Sequence, residues 1–153
     1  MQDIITRLRA KKDDEGFTLI ELLVVVVIIG VLVAIAVPVY LNYRKGAADK
    51  SAQSDVRGSI SAIEQFYTEN NNAYPTLVTI QSVASTSTLL TIGNQRITLS
   101  DKTLFSYVPV GTTAYKVCAT NSGGSGKIYV YDSERGGSVA ASTAGTPSMV
   151  TCV

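Results

Sequence analysis

The nucleophilic and titratable residues of this sequence restrict the chemistry that it can perform. Its 153 residues include two cysteines, Cys118 and Cys152, and no histidine. A Ser-His-Asp or Cys-His catalytic site therefore cannot be built, nor can a zinc site of the usual Cys/His kind. Asp132 and Glu134 alone would supply too few oxygens for Ca²⁺, which takes about six or more. We predict no enzymatic activity, no cofactor and no metal site.

One acidic residue lies in unusual surroundings. Glu21 is the only charged residue between Gly16 and Leu41, and Leu22–Val37 holds no charged or strongly polar residue. Phe17–Leu41 has 25 residues, roughly 37 Å as a helix, and about 20 apolar residues suffice to cross a bilayer. A helix that is apolar on every side is not expected in a soluble domain. The run predicts a membrane-spanning helix, in which a charge is costly and usually functional.

Basic residues flank this apolar run on both sides. Four precede it and three follow it: Arg7, Arg9, Lys11 and Lys12, then Arg44, Lys45 and Lys50. Because Lys and Arg tend to stay on the cytoplasmic side of a membrane, the small excess favours a cytoplasmic amino terminus. The whole chain is balanced, with 13 basic and 12 acidic residues, so no strong nucleic-acid binding is predicted.

An ordinary secretory signal peptide is one alternative for the first 36 residues. Leu22–Val33 would be its apolar core, and Ala34-Ile35-Ala36 resembles a small-x-small cleavage site. The acidic run at 13–15 and Glu21 at the head of the core are unusual for such a peptide. On this alternative the chain is a secreted binding module, and a plain membrane anchor carrying such a module is a second possibility.

The motif G-F-T-L-I-E at 16–21, followed by a long apolar run that reaches Pro38, resembles the amino-terminal signature of type IV pilins and pseudopilins. The resemblance is specific over residues 16–41 and looser beyond them. It implies that a prepilin peptidase cuts between Gly16 and Phe17 and methylates the new amino terminus, so that residues 1–16 are a cleaved leader.

The resemblance also implies a role for Glu21 in a filament, where it would meet the Phe17 amine of a neighbouring subunit. Such a pair would fix the axial register of the subunits, because a mismatch leaves a carboxylate unpaired in an apolar bundle. An interfacial acid without a specific partner is the alternative for Glu21.

Gly30 and Pro38 are the two residues that weaken the apolar helix. Gly lowers helix stability by about 1 kcal/mol and Pro by about 3 kcal/mol at an interior position, and Pro38 should kink the helix because it lacks an N–H. The resemblance implies local unwinding between these two positions in an assembled filament. Tolerance of Pro near the membrane boundary is the alternative.

Residues 42–70 are predicted to continue the helix as an amphipathic half. Its apolar face recurs at spacings of three and four residues, comprising Ala52, Val56, Ile60, Ile63 and Tyr67. The charged residues, including Asp49, Asp55 and Glu64, are expected to lie largely off that face. This half-helix should be the spine of a globular head that spans residues 42–153.

Three strands are predicted in the head, at Leu104–Val110, Tyr115–Thr120 and Lys127–Asp132. The last two should form a hairpin around the turn at 121–126. Residues 80–92 could form either a short helix or a strand, and the Gly/Ser/Ala-rich residues 133–148 should be a loop without core residues. The fold class is therefore α+β, with the long helix packed on a small antiparallel sheet at about 104–132, as in the type IV pilin fold.

In an exported head, Cys118 and Cys152 are predicted to form one disulfide. It would close a loop of about 35 residues, which the chain-entropy relation values at about 4 kcal/mol, and would hold residues 133–151 against the sheet. This arrangement resembles the carboxyl-terminal disulfide loop of many type IV pilins. Two buried free thiols are the alternative.

Taken together, the resemblance implies a structural subunit of a type IV pilus-like filament that serves adhesion, motility or DNA uptake. Its partners would be copies of itself, a prepilin peptidase, a pilus assembly ATPase and an inner-membrane platform. The subunit would cross the cytoplasmic membrane once with its head outside, and would later join a filament on the cell surface. A pseudopilin of a type II secretion or competence pseudopilus is the alternative, although the cysteine pair and the Ser/Thr-rich head favour the pilus.

Overall fold

The structure, a computed structural model, describes residues 16–76, 79–82, 88–92, 94–143, 145 and 148–153. The leader residues before Gly16 and parts of the Ser/Thr-rich region lie outside the described residues. The chain divides into two compact units, one ending at Tyr40 and the other beginning at Leu41.

One long helix, α1 (Leu19–Glu69), accounts for 51 of the described residues. Its helical backbone includes both Gly30 and Pro38, so the two weak points do not end the helix in the isolated chain. After Glu69 the backbone turns through Asn71 and Asn72, which have φ angles of 52° and 59°. Asn tolerates this left-handed conformation well, which explains why the polar run ends the helix, as the sequence predicts.

The strands form two antiparallel sheets. They are β1 (Thr79–Ser82), β2 (Thr88–Ile92), β3 (Gln95–Leu99), β4 (Thr103–Val110), β5 (Ala114–Asn121), β6 (Tyr129–Asp132) and β7 (Ala140–Ala141). The larger sheet has the order β1-β4-β5-β6-β7, and β2 pairs with β3 in a separate hairpin. The predicted α+β fold, with a long helix and an antiparallel sheet, is confirmed.

One face of the larger sheet packs on the second half of α1. Ala52, Val56 and Ile63 of the helix are fully buried. They share one core with side chains from β4, β5 and β6, namely Phe105, Tyr107, Tyr115, Val117, Ala119 and Tyr129. The buried helix residues recur with the helical period that the sequence predicts, and the buried residues of β5 in this core alternate along the strand as predicted. The predicted core face of the helix is therefore confirmed.

The opposite face of the sheet is covered by the carboxyl-terminal segment. Cys118 lies between Val117 and Ala119 in β5, so its side chain points away from α1. It forms a disulfide with Cys152, with a Cα–Cα distance of 5.4 Å. Ile128 and the two half-cystines are buried together, with Val130 and Met149 packed against them. The head is therefore layered, with the helix, the sheet and the disulfide-linked segment in succession.

For the irregular regions, one question left open by the sequence is answered and one expectation is wrong. The undecided region 80–92 contains strand residues in β1 and β2, and no helix among its described residues. Residues 133–148 were expected to lack core residues, yet Val139 is buried in the core against α1 and Ala140–Ala141 form β7. The carbonyl of Val139 accepts a hydrogen bond of 3.2 Å from Gln53 Nε2, so a helix side chain fixes this segment in place.

The prediction that Asp49 and Asp55 lie off the buried face is wrong, since each is only 6% exposed. Asp49 accepts hydrogen bonds from the backbone N–H of Ser125 at 2.9 Å and from its hydroxyl at 2.5 Å. Asp55 accepts the equivalent pair from Ser100, at 2.9 and 2.8 Å. A buried carboxylate is tolerated when hydrogen bonds replace its hydration. Each aspartate therefore attaches α1 to one turn of the head.

Gly124 is needed for the Asp49 contact. A Cβ atom at this position would collide with Asp49 Oδ1 and would lie 3.1 Å from the Asn121 carbonyl oxygen. Gly124→Ala should therefore displace Asp49 from Ser125 and lower the free energy of unfolding by about 1.5–3 kcal/mol, the usual value for hydrogen bonds to a charged group. Chemical denaturation of the full chain in neutral detergent, followed by circular dichroism, measures the change.

Gly145→Ala is the matched control for this substitution. The same methyl group is added there, but no atom of the described residues lies within 4 Å of it. We expect this variant to unfold like the wild type. Equal stability of the two alanine variants would contradict the role assigned to Gly124.

Two tyrosine side chains bind Glu64 near the carboxyl-terminal end of α1. The hydroxyl of Tyr115 donates to Glu64 Oε1 at 2.7 Å, and that of Tyr74 donates to Glu64 Oε2 at 3.2 Å. The rings of Tyr74 and Tyr115 are 4.9 Å apart, and those of Tyr107 and Tyr115 are 5.8 Å apart. Glu64, which was expected to lie off the packing face, is half-buried. It accepts hydrogen bonds from both the Tyr74 and the Tyr115 hydroxyl.

The tyrosine cluster should make the head sensitive to alkali. Burial and the Glu64 carboxylate raise the pKa of Tyr74 to about 12, and burial raises the pKa values of Tyr107 and Tyr115 further above their ordinary value of 10.0. Because the folded state keeps protons that the unfolded chain loses, stability is complete below pH 10 and falls as the pH rises. Each fully buried tyrosine should contribute about 1.4 kcal/mol per pH unit to this decline.

Denaturation of Tyr115→Phe across this pH range tests the expectation. The decline above pH 10 should be shallower than in the wild type by about 1.4 kcal/mol per pH unit. Tyr43→Phe, which removes a tyrosine that is 77% exposed, should leave the slope unchanged. Parallel declines for wild type and Tyr115→Phe would refute the link between burial and alkaline lability.

Candidate assembly site

The start of α1 is closed by reciprocal hydrogen bonds between Thr18 and Glu21. Thr18 immediately precedes the first helical residue, Leu19. Glu21 Oε2 accepts hydrogen bonds from the Thr18 backbone N–H at 2.8 Å and from Thr18 Oγ1 at 2.6 Å. The N–H of Glu21 in turn donates to Thr18 Oγ1 at 3.3 Å. This is a capping box, which satisfies backbone donors that have no partner within the first helical turn.

The capping box is a feature that the sequence reasoning missed. The spacing Thr-x-x-Glu directly before an apolar run is the signal that could have identified it. It gives Glu21 a function within one subunit, next to the positive end of the helix dipole, where a carboxylate is favourable. The carboxylate is thus held at a defined place at the head of the apolar segment.

Gly16 and Phe17 precede the capping box in backbone that is not helical. Both are exposed, and the side chain of Phe17 is 80% exposed. A proteolytic enzyme needs backbone that it can reach and enclose, and the peptide bond between these residues lies in exposed backbone outside the helix. The structure therefore places the expected cleavage bond and Glu21 within six residues of each other, 16–21.

The side chains from Leu19 to Leu41 form an apolar surface that the described residues leave uncovered. Every large hydrophobic residue in this stretch is exposed. Within the described part of the chain, α1 is the one helix long and apolar enough to cross a membrane, and its most apolar window is near the amino terminus. A signal sequence near the amino terminus has the same length and composition.

The two carboxylates considered for Ca²⁺, Asp132 and Glu134, lie in different surroundings from each other. Asp132 Oδ2 lies 3.3 Å from Lys116 Nζ and 3.7 Å from Arg135 Nε, whereas Glu134 is exposed. Burial raises the pKa of Asp132, but hydrogen bonds from Lys116 and from the backbone of Glu134 lower it more, so the net pKa is below its ordinary value. Its neighbours are thus cations and N–H donors rather than further oxygen ligands.

Comparison with known proteins bears on the assembly site directly. A family model described as the prokaryotic N-terminal methylation motif matches residues 11–37. This stretch includes Gly16, Phe17 and Glu21. No solved structure matches the chain.

Curated relatives extend the similarity to about half of the chain. The type IV major pilin protein PilE of Neisseria gonorrhoeae is 39% identical over 75 residues, which are 49% of this chain and 44% of that protein. Type II secretion system core protein G of Escherichia coli (strain K12) is 38% identical over 69 residues, 45% of this chain and 47% of that protein. The chain spans less than half the length of these relatives. The matches confirm the resemblance to type IV pilins and secretion pseudopilins that the motif at 16–21 predicts.

Proposed function

We propose that this chain is a prepilin, the structural subunit of a type IV pilus-like filament. The observation that carries the proposal is the match of residues 11–37 to the N-terminal methylation motif, with Glu21 held at the start of an exposed apolar helix. Relatives whose names contain "major pilin protein" or "fimbrial protein" support the same conclusion. Those names describe structural proteins, and the subunit is accordingly proposed to be structural rather than enzymatic.

Processing would take place at Gly16–Phe17. A prepilin peptidase would cut this exposed, non-helical bond and methylate the amine of Phe17. Removal of residues 1–16 leaves that amine on the residue directly before Thr18, which begins the Thr18–Glu21 capping box. Cleavage would therefore place a new positive charge at the positive end of α1, close to a carboxylate that can compensate it.

Assembly would move the apolar segment from lipid into a bundle of identical helices. This exchange yields little hydrophobic free energy, since lipid chains are as apolar as leucine side chains. The driving force would come from close packing, from pairing of Glu21 with the Phe17 amine of a neighbour, and from a pilus assembly ATPase acting through an inner-membrane platform. The basic flanks favour a cytoplasmic amino terminus, with the head outside.

A pseudopilin of a secretion or competence filament is the second candidate function. The similarity to type II secretion system core protein G supports it. The disulfide between Cys118 and Cys152 and the Ser/Thr-rich head favour the pilus instead. Immunogold imaging of the cell surface separates the two. Antibodies against a pilus subunit would label long surface fibres, and antibodies against a pseudopilin would not.

The mass of the mature chain tests the proposal itself. We expect an amino terminus at Phe17 that carries one additional methyl group. A start at Val37 would identify an ordinary signal peptide and a secreted binding module, and an intact amino terminus at Met1 would identify a plain membrane anchor. Either of the last two results would reject the prepilin.

A further inference from the structure

A basic groove lies on the head next to the end of the apolar segment. It has a volume of about 380 Å³. Its lining includes Arg44, Lys45 and Leu41 from α1, together with Asp101 and Lys102 from the turn between β3 and β4. Three cations and one carboxylate thus share an open groove, in a chain whose overall net charge is only +1.

Two of these cations have no counter-ion among the residues that the structure describes. Among the described residues, neither the Lys45 nor the Lys102 ammonium group has an ion-pair or hydrogen-bond partner within its reach. Elsewhere on the head, Lys116 is paired with Asp132 at 3.3 Å. The groove therefore holds positive charge that no described residue neutralises through an ion pair, and a bound anion would gain attraction from both segments.

The turn that carries Lys102 is fixed in position. Lys102 has a φ angle of +60°, a left-handed conformation that is uncommon for a residue other than Gly, Asn or Asp. Its carbonyl accepts a hydrogen bond of 3.0 Å from the Ser122 N–H, and the Asp101 carbonyl accepts one of 2.7 Å from Asn121 Nδ2. The buried Asp55 holds Ser100 on the other side. These bonds maintain an unfavourable backbone conformation, as at many ligand-binding sites.

The place of the groove in the chain indicates the source of the anion. Leu41 is the last residue of the apolar run, and Arg44 and Lys45 follow it within about one helical turn. When the run lies in a bilayer, residues directly after it lie at the level of the lipid headgroups. Phosphate is the anion present there in quantity, and Lys and Arg are its usual protein ligands.

We propose that this groove binds the phosphate of an anionic phospholipid at the outer surface of the membrane. Lys45 and Lys102 would contact the phosphate from two sides, and Leu41 would lie against the start of the acyl chains. The lipid would hold the head to the bilayer until the subunit enters a filament. The inference rests on the proposed function only in requiring that the apolar run resides in a membrane.

A lipid titration of the full chain in neutral detergent tests the proposal. Dihexanoyl-phosphatidylglycerol is added to ¹⁵N-labelled protein, and the amide resonances of Lys102, Ser122 and Gly123 are followed. We expect saturable shifts. The double variant Lys45→Gln/Lys102→Asn should bind the lipid about 30-fold more weakly, because each Lys near an anionic lipid raises the affinity about fivefold. Asn is chosen at position 102 because it suits the left-handed backbone. Lys127→Gln removes one exposed cation outside the groove and should bind like the wild type.

Three results would overturn the proposal. An equal response to dihexanoyl-phosphatidylcholine would mean simple partition of the lipid into the micelle. Equally tight saturation by inorganic phosphate would identify a general anion site without lipid selectivity. Shifts that follow protein concentration rather than lipid would identify an interface between copies of the chain. None of these measurements depends on polymerisation, so failure to form filaments and failure to bind lipid remain separate outcomes.

Discussion

Glu21→Ala should abolish or strongly reduce filaments while the protein still accumulates in the membrane. The substitution removes the carboxylate that is expected to pair with the Phe17 amine of a neighbouring subunit, so the correct axial register loses its advantage over incorrect ones. Electron microscopy of surface fibres, together with immunoblots of membrane fractions, measures assembly and accumulation separately.

The capping box provides variants that separate the two functions of Glu21. Glu21→Gln keeps an acceptor that can close a capping box but removes the charge, and we expect it to assemble as poorly as Glu21→Ala. Thr18→Ala keeps the charge and removes the cap, which costs about 1 kcal/mol of helix stability, and we expect filaments to persist. Normal fibres from Glu21→Gln would show that capping, and not charge pairing, is the function of this residue.

Loss of the disulfide is the second large effect that we expect. In the double variant Cys118→Ala/Cys152→Ala, the free energy of unfolding should fall by about 4 kcal/mol, because the unfolded chain regains the entropy of a loop with a sequence separation of 34 residues. The two half-cystines are also buried, so loss of their packing adds to the effect. Denaturation of the full chain in neutral detergent gives the value.

Reduced wild-type protein is the control for the disulfide variant, because it has the same open loop and no missing side-chain atoms. Both should lose stability to a similar extent and should become sensitive to proteolysis within residues 133–151. Unchanged stability and an unchanged cleavage pattern on reduction would show that packing alone holds the carboxyl-terminal segment on the sheet.

The sequence predicts best those elements whose side chains show a long, regular pattern. The helix at Leu19–Glu69, its core face around Val56 and Ile63, and strands β4 and β5 follow from apolar run length, from the 3.6-residue period and from alternation. For the helix and these strands, local pattern and tertiary environment agree, which is the condition under which sequence reasoning succeeds. The assembly site at 16–21 stays a prediction from its motif.

The errors concern residues whose environment depends on distant partners. Asp49 and Asp55 are buried because Ser125 and Ser100, far away in sequence, replace their hydration, and no periodicity of the helix contains that information. Val139 is buried next to α1, where Gln53 binds its carbonyl. The two residues of β7 are paired because β6 is adjacent to them. A Gly/Ser/Ala-rich segment offers no pattern from which those contacts could be read.

The short strand β7 has a consequence for how copies of this protein can associate. A sheet edge attracts other chains through its free N–H and C=O groups, and natural proteins limit this tendency by keeping edge strands short. With only Ala140–Ala141 at one margin of the larger sheet, the head presents little backbone there for amyloid-like growth. In the proposed filament subunit, this edge would limit unregulated polymerisation through the head and leave ordered growth to the apolar helix.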